Sequence, residues 1–349
     1  MNERAKALDD LLAWLSGHER DEKDWRPLVA LASDTLTVGS LADAVLPSRI
    51  ADSLPGEVRD LLIDVQTRAR ERNARLRSQL LELIPALNSA GVEPILMRGV
   101  ARLLSSPREE SRLLSDIDLL VPGARLKNCS SALRDLGYEL FRAPTEDRVP
   151  SVLCRPTDVG MVDLHAQLQP VYLRLGYNRL ANECRTIELP TGTALMPSPT
   201  CQMLCTIVHD QLHDADYWRG LLDVRHLVDM QRIAREGVDW AALASFFPAG
   251  SPRNALFLQL RSARLLMNID VPDEYCGGLW SAVQQIRRRL QARLDFLRPL
   301  LTLVTIAVDP PPRSGSPPTE RRTETVRETT RRRLDHYFGP ANAGKLLFK

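Results

Sequence analysis

From Glu3 to about Ser89, leucines and alanines return every three or four positions, as at Leu8, Leu11, Leu12 and Leu15, and this spacing predicts helices with one buried face. Pro47 and Pro55 punctuate the run. The longest helix is expected from Pro55-Gly56-Glu57 to Ala90, with Gly91 suited to a left-handed cap. Its arginine-rich middle, residues 68–75, reads as a solvated face with glutamate partners. After Gly91 the period changes. Short apolar runs bounded by turn residues predict strands at 94–97, 115–121, 138–142, 152–155 and 160–165, and a hairpin over 187–196 that turns at Thr191-Gly192. Between them lie an expected helix at 100–105, a polar loop at 106–110, and a helix at 124–136 closed by Gly137. Helical spacing resumes after Pro199, over 200–213, 217–236, 240–247 and 254–267, followed by a helix pair across 279–308. The pattern predicts an α+β fold built on a small mixed sheet. Its expected regions are N-terminal helices (1–90), an αβ core (91–198), a C-terminal helical domain (199–309) and a Pro-rich linker with a basic tail (310–349).

The stretch Ser115-Asp116-Ile117-Asp118-Leu119-Leu120-Val121 places two carboxylates inside an apolar strand. Strand side chains alternate, so Asp116 and Asp118 share one face while Ile117 and Leu119 point into a core. Two like charges this close call for a cation. Mg²⁺, which is held by carboxylates together with substrate phosphates, is the simplest candidate. The run Gly160-Met161-Val162-Asp163-Leu164-His165 places a third carboxylate in a strand. Paired beside the first, it would bring Asp116, Asp118 and Asp163 to one point, enough for two metal ions bridged by a triphosphate. Upstream, Ile95-Leu96-Met97-Arg98-Gly99 ends a strand in a cation and a glycine before a helix, a natural seat for phosphate.

In this order, Leu96-Met97-Arg98-Gly99, Arg112, the Asp116/Asp118 strand and Val162-Asp163-Leu164-His165 resemble the bacterial uncharacterised nucleotidyltransferase family of the DNA polymerase β-like superfamily. The resemblance continues through Pro197-Ser198-Pro199, His209, His213, Arg219, Asp223 and Val238-Asp239-Trp240. It implies a nucleotidyltransferase core and Mg²⁺-dependent transfer of an NMP from an NTP to a hydroxyl or phosphate acceptor, with Mn²⁺ as the alternative ion. Asp116, Asp118 and Asp163 would be the catalytic, metal-holding residues. Arg98, Gly99, Arg112, Ser115, His165, His209 and His213 would face the nucleotide, Arg112 pairing either with phosphate or with the three acids. His165 would either touch substrate or hold Asp163 by a hydrogen bond. The acceptor would be a small molecule, a peptide or protein side chain, or an RNA end. Two departures from the family pattern stand out: Arg98 replaces the usual lysine, and Gly99-Val100 replaces the Gly-Ser that opens the phosphate-binding helix. They leave open a nucleotide-binding adaptor without turnover; a metal-dependent phosphohydrolase using the same acids is a third reading.

Cys201, Cys205, His209 and His213 repeat every four residues. On an α-helix such a stripe spans roughly 18 Å, so at most one adjacent pair could serve a single ion. Arg219 and Asp223, also four apart, are expected to pair on the next helix.

Composition narrows the picture only slightly. Across 349 residues, 44% are hydrophobic and 26% charged, as in ordinary soluble proteins, and the net charge of +2 supplies no global field for nucleic acid. The stretch from Arg321 to Arg333 is locally basic and reads as a solvated terminal helix ahead of an RNA or acidic-partner role. Six scattered cysteines read as reduced thiols. The charged N-terminal stretch lacks the apolar core of a signal peptide, and the run 300–308 falls far short of the ~20 residues that cross a bilayer, so a cytoplasmic protein with no membrane partner is expected.

Overall fold

The computed structural model describes residues 3–20, 24–105, 110–143, 151–312 and 345–346. Four helices come first: α1 (Glu3–Leu15), α2 (Trp25–Asp34), α3 (Val38–Val45) and α4 (Gly56–Ser89). The sheet region follows as β1 (Ile95–Leu96), α5 (Gly99–Ser105), β2 (Asp116–Leu120), α6 (Leu126–Asp135), β3 (Glu139–Arg142), β4 (Ser151–Cys154), β5 (Met161–His165), α7 (Tyr177–Ala181), β6 (Cys184–Leu189) and β7 (Gly192–Pro197). The remainder is helical: α8 (Pro199–Ile207), a π-helical turn (Val208–His213), α9 (Asp216–Arg219), α10 (Val224–Arg235), α11 (Trp240–Ser245), α12 (Ser251–Met267), α13 (Leu279–Arg293) and α14 (Arg298–Val308). A short strand β8 (Leu222–Asp223) pairs antiparallel with β9 (Lys345–Leu346). The polar loop at 106–109 and the linker and tail at 313–344 lie outside the described residues. The chain divides into two compact units, one spanning Val38–Cys205 and the other joining the described parts of Met1–Thr37 and Thr206–Lys349.

In the first unit seven strands form one mixed sheet in the order β3-β4-β5-β2-β1-β7-β6. The expected α+β architecture and the hairpin, now β6–β7, are both present. The core lies on one face of the sheet. Ile117, Leu119, Val162 and Leu164 point into it from the two central strands and meet Leu76, Leu80, Leu83, Ile84 and Leu87 of α4 and Cys129 and Leu133 of α6. The α4 residues recur at helical spacing, which is why this long helix keeps one stripe on the sheet. Pro85 interrupts its hydrogen-bond ladder by lacking the N–H that would reach Leu81, and the Thr191 hydroxyl in the hairpin turn donates to that carbonyl instead, at 2.7 Å. At the far end Gly91, with φ +75°, closes the helix as expected, its N–H reaching the Asn88 carbonyl while that of Val92 reaches Leu87.

The N-terminal helices of this unit also hold the approach to β2. Asn73 donates to the carbonyls of Glu110 and Arg112, and Arg72 to those of Leu114 and Ser115. Asp43 of α3 accepts from both the N–H and the hydroxyl of Ser111, each at 2.8 Å. Gly39 admits this close approach, because a Cβ there would stand 1.8 Å from the Ser111 carbonyl oxygen.

The second unit corrects two expectations. The helix expected over 217–236 is broken at Gly220, φ +69°, into α9 and α10. Arg219 and Asp223 therefore do not share a helix: Asp223 caps α10 and pairs with Arg225 at 2.7 Å. The helix expected over 200–213 ends in the π turn. In α13 and α14 the buried face is polar. Arg287 donates to the Tyr217 and Trp218 carbonyls and Arg288 to Gln211 and Ser262, while Ile286 and Leu300 are exposed.

Candidate active site

Strands β2 and β5 run parallel and in register, so that Asp118 stands directly opposite Asp163 and Asp116 opposite Met161. Alternation then puts Asp116, Asp118, Asp163 and His165 on the sheet face opposite the core. On the other flank of β2, antiparallel β1 leads into Arg98. The chain turns there through a left-handed conformation, φ +50° at Arg98, which costs a residue with a side chain about 1 kcal/mol and marks a position the surroundings over-determine. The turn sends the guanidinium over the same face, where Nη1 donates to Asp118 Oδ2 at 3.2 Å. The other carboxylate oxygen of Asp118 lies 2.9 Å from His165 Nε2. Asp118 is only 4% exposed, and the two contacts give its buried charge polar partners.

The sequence offered His165 either substrate or Asp163 as its partner; the hydrogen bond it makes here is to Asp118. The parallel register makes Asp118 the diagonal neighbour of His165 on the adjacent strand, within reach of its imidazole. Burial first, and then the Asp118 carboxylate, push the Asp163 carboxyl up from the ordinary aspartate range to about 6; Asp116 adds to the repulsion, and His165 and Arg98 oppose it. Donor atoms of Asp118, Asp163 and His165 lie within 4.8 Å of one another. Asp116 sits at the rim, accepting from the exposed Ser115 hydroxyl at 3.0 Å. An oxygen-rich set in which burial, and then mutual repulsion, hold one proton near neutrality fits a hard divalent cation.

Gly99 opens α5, a helix of seven residues. A Cβ at this glycine would meet Leu114 Cδ2 at 2.4 Å and Arg112 Nη1 at 3.1 Å, so the Arg112 guanidinium lies against the Gly99 backbone. Arg98, Gly99 and Arg112 are therefore brought together, with Arg98 reaching Asp118. His209 and His213 belong to the other unit, where they join Asp210, Asp214 and His226. The sequence reading missed Asp43, Arg72 and Asn73 as supports of the 110–115 segment, because each acts across a separation that leaves no periodic trace. His226 was also missed, lying on a different helix from the other histidines.

A family model described as uncharacterised nucleotidyltransferase matches residues 21–268. The chain belongs to this family. Both the acidic sheet face and the π turn fall within the match, while α13 and α14 lie beyond it. A search of curated proteins finds no match. Membership makes the protein a nucleotidyltransferase in the general sense, with an NTP as substrate, and its acidic side-chain clusters could hold a metal ion. Among the described residues no helix is long and apolar enough to cross a membrane.

Proposed function

We propose that the protein is a Mg²⁺-dependent transferase that moves an NMP from an NTP to a hydroxyl or phosphate acceptor and releases pyrophosphate. The observation carrying this reading is the register that sets Asp118 against Asp163 on the sheet face opposite the core, with Asp116 on the same face and Arg98 reaching over to Asp118. Two Mg²⁺ ions on Asp116, Asp118 and Asp163, replaceable by Mn²⁺, would supply activation of the acceptor hydroxyl and neutralise charge on the leaving group. The chain's own residues do the rest. Arg98 and Arg112 present guanidinium groups to the β- and γ-phosphates, Arg112 from its place against the Gly99 backbone. His165 and Arg98 hold both oxygens of Asp118, fixing the orientation of that carboxylate. Asp163, with its carboxyl near 6, orients the acceptor hydroxyl and can take its proton at a carboxylate oxygen. His209 and His213 have no step in this reading. The acceptor is a small molecule, a peptide or protein, or an RNA. The free state of all six cysteines supports a cytoplasmic setting.

The test is incubation of the purified protein with Mg²⁺ and each α-labelled NTP, adding small-molecule, protein and RNA fractions separately, beside the Asp116→Ala/Asp118→Ala double variant. Label entering one fraction with the intact protein alone establishes transfer and names the acceptor class. One observation favours a second reading, a nucleotide-binding adaptor without turnover: both oxygens of Asp118 are already engaged by Arg98 and His165. Tight nucleotide binding with no label in any fraction would select it.

A further inference from the structure

The π turn Val208–His213 builds a second cluster, independent of the transfer reading. An α-helix would carry His209 and His213 along one stripe and leave them a pair. The wider turn also rolls Asp210 and Gln211 inward to zero exposure. His209 then stands between two neighbours. Its ring is 5.5 Å from that of His213 and meets the ring of His226, on α10, edge-on at 5.9 Å. His209 Nδ1 lies 3.6 Å from Asp210 Oδ1 and 3.8 Å from Asp214 Oδ2, and His226 Nδ1 is hydrogen-bonded to the same Asp210 oxygen. Two donor sets result, His209 with Asp210 and His226, and His209 with His213 and Asp214; within each, the atoms lie within 4.8 Å of one another. Ligands at 2.0–2.1 Å from a tetrahedral ion are separated by about 3.4 Å, so the inner set needs only small side-chain rotations to surround one.

The nearby cations are committed elsewhere in part. Arg225 pairs with Asp223, and Arg288 donates to Gln211 and Ser262. We propose that His209, Asp210 and His226 bind one divalent transition-metal ion, with Zn²⁺ the ion that suits them best. Two imidazoles and one carboxylate form a donor set that favours zinc over magnesium, and it leaves a fourth position for water. The acidic face of the sheet, by contrast, offers mostly oxygen. The two metals therefore separate by chemistry: excess Mg²⁺ should not displace the ion at the π turn. The ion would tie α10 to the π turn and act as a structural staple of the helical unit.

The experiment uses tag-free full-length protein, stripped with a chelator, reloaded with Zn²⁺ in the presence of millimolar Mg²⁺, desalted and measured for bound zinc by elemental analysis. Co²⁺ serves as an absorbance probe of coordination. The expected result is one zinc per chain in the wild type and in Asp118→Asn, and none retained by His209→Ala or His226→Gln. Zinc should also raise the thermal midpoint of the wild type but not of these two variants. Should His226→Gln fail to fold, as judged by circular dichroism, His209→Ala carries the test, since that side chain is partly exposed. A wild type that retains no more zinc than His209→Ala would overturn the proposal. Zinc lost in His213→Ala but retained in His226→Gln would overturn it too, by assigning the ion to the outer set.

Discussion

Arg98 reaches back over the sheet to Asp118, its Nη1 3.2 Å from Oδ2, from a backbone held at φ +50°. A lysine, usual at this place in the family pattern, would bring the same charge on a different donor geometry. Replacing the arginine separates its two roles. Arg98→Gly relieves the left-handed strain but removes the cation, and Arg98→Lys keeps charge without the planar fork. We predict that Arg98→Gly lowers kcat/KM by about 10²-fold or more, on the scale of losing one charge-stabilising donor. Arg98→Lys should retain at least a tenth of wild-type transfer. Steady-state rates of the two variants check this, with thermal midpoints to show that both fold.

Asp163 gives a prediction in pH. Its folded carboxyl sits near 6, above the ordinary aspartate value of 3.8, so the fold prefers the protonated form. The resulting stabilisation is present in full below the unfolded value and is lost as pH rises through about 6. Asp163→Asn avoids that loss. In a chelator, the variant should melt above the wild type at pH 7.5 by an amount on the order of 1–2 kcal/mol, discounted for partial exposure, and the gap should shrink at pH 4.5. Mg²⁺ should close it at pH 7.5 by stabilising only the wild type. Melting curves across pH in the presence and absence of Mg²⁺ provide the measurement, and a gap independent of pH would refute the assignment.

The segment leading into β2 is held from a distance, and its supports should affect both stability and activity. Gly39→Ala places a methyl group 1.8 Å from the Ser111 carbonyl oxygen, so α3 or the segment has to move. A Cβ at Gly56 meets nothing within 4 Å. We expect Gly39→Ala to lower the thermal midpoint by several degrees and Gly56→Ala to leave it level or slightly higher. Asp43→Ala, which removes both acceptors of Ser111, should cost about 1–3 kcal/mol and raise KM for the nucleotide through Arg112. Chemical denaturation paired with nucleotide titration checks both effects.

The legible parts of this protein were those written in local period. The alternation around Ile117 told which way Asp116 and Asp118 point, and the leucines of α4 told that one stripe is buried. The turn glycines Gly91 and Gly137 told where helices stop, and both have positive φ. Less was visible where two distant segments decide the outcome. His165 turns to Asp118 because the two strands are adjacent in parallel register, a fact of pairing that no single run contains. Asp43 and Asn73 reach residues 68 and 37 positions away. The π turn rearranges the histidine stripe through one extra residue in a turn, which composition does not signal. Gly220 was a readable signal: a glycine inside an expected helix, and the helix breaks there. For α13 and α14 the period was visible but not the side, since the buried partners of Arg287 and Arg288 are backbone and side-chain oxygens on other helices.

The central claim is that the acidic face directs attack at the α-phosphate. The most direct measurement is the identity of the labelled leaving group from a γ-labelled NTP, taken with the active acceptor fraction and Mg²⁺. Labelled pyrophosphate from the wild type, and none from Asp116→Ala/Asp118→Ala, is the predicted result. Labelled inorganic phosphate formed directly, with no pyrophosphate preceding it, would contradict the account and make the same acids the site of a phosphohydrolase.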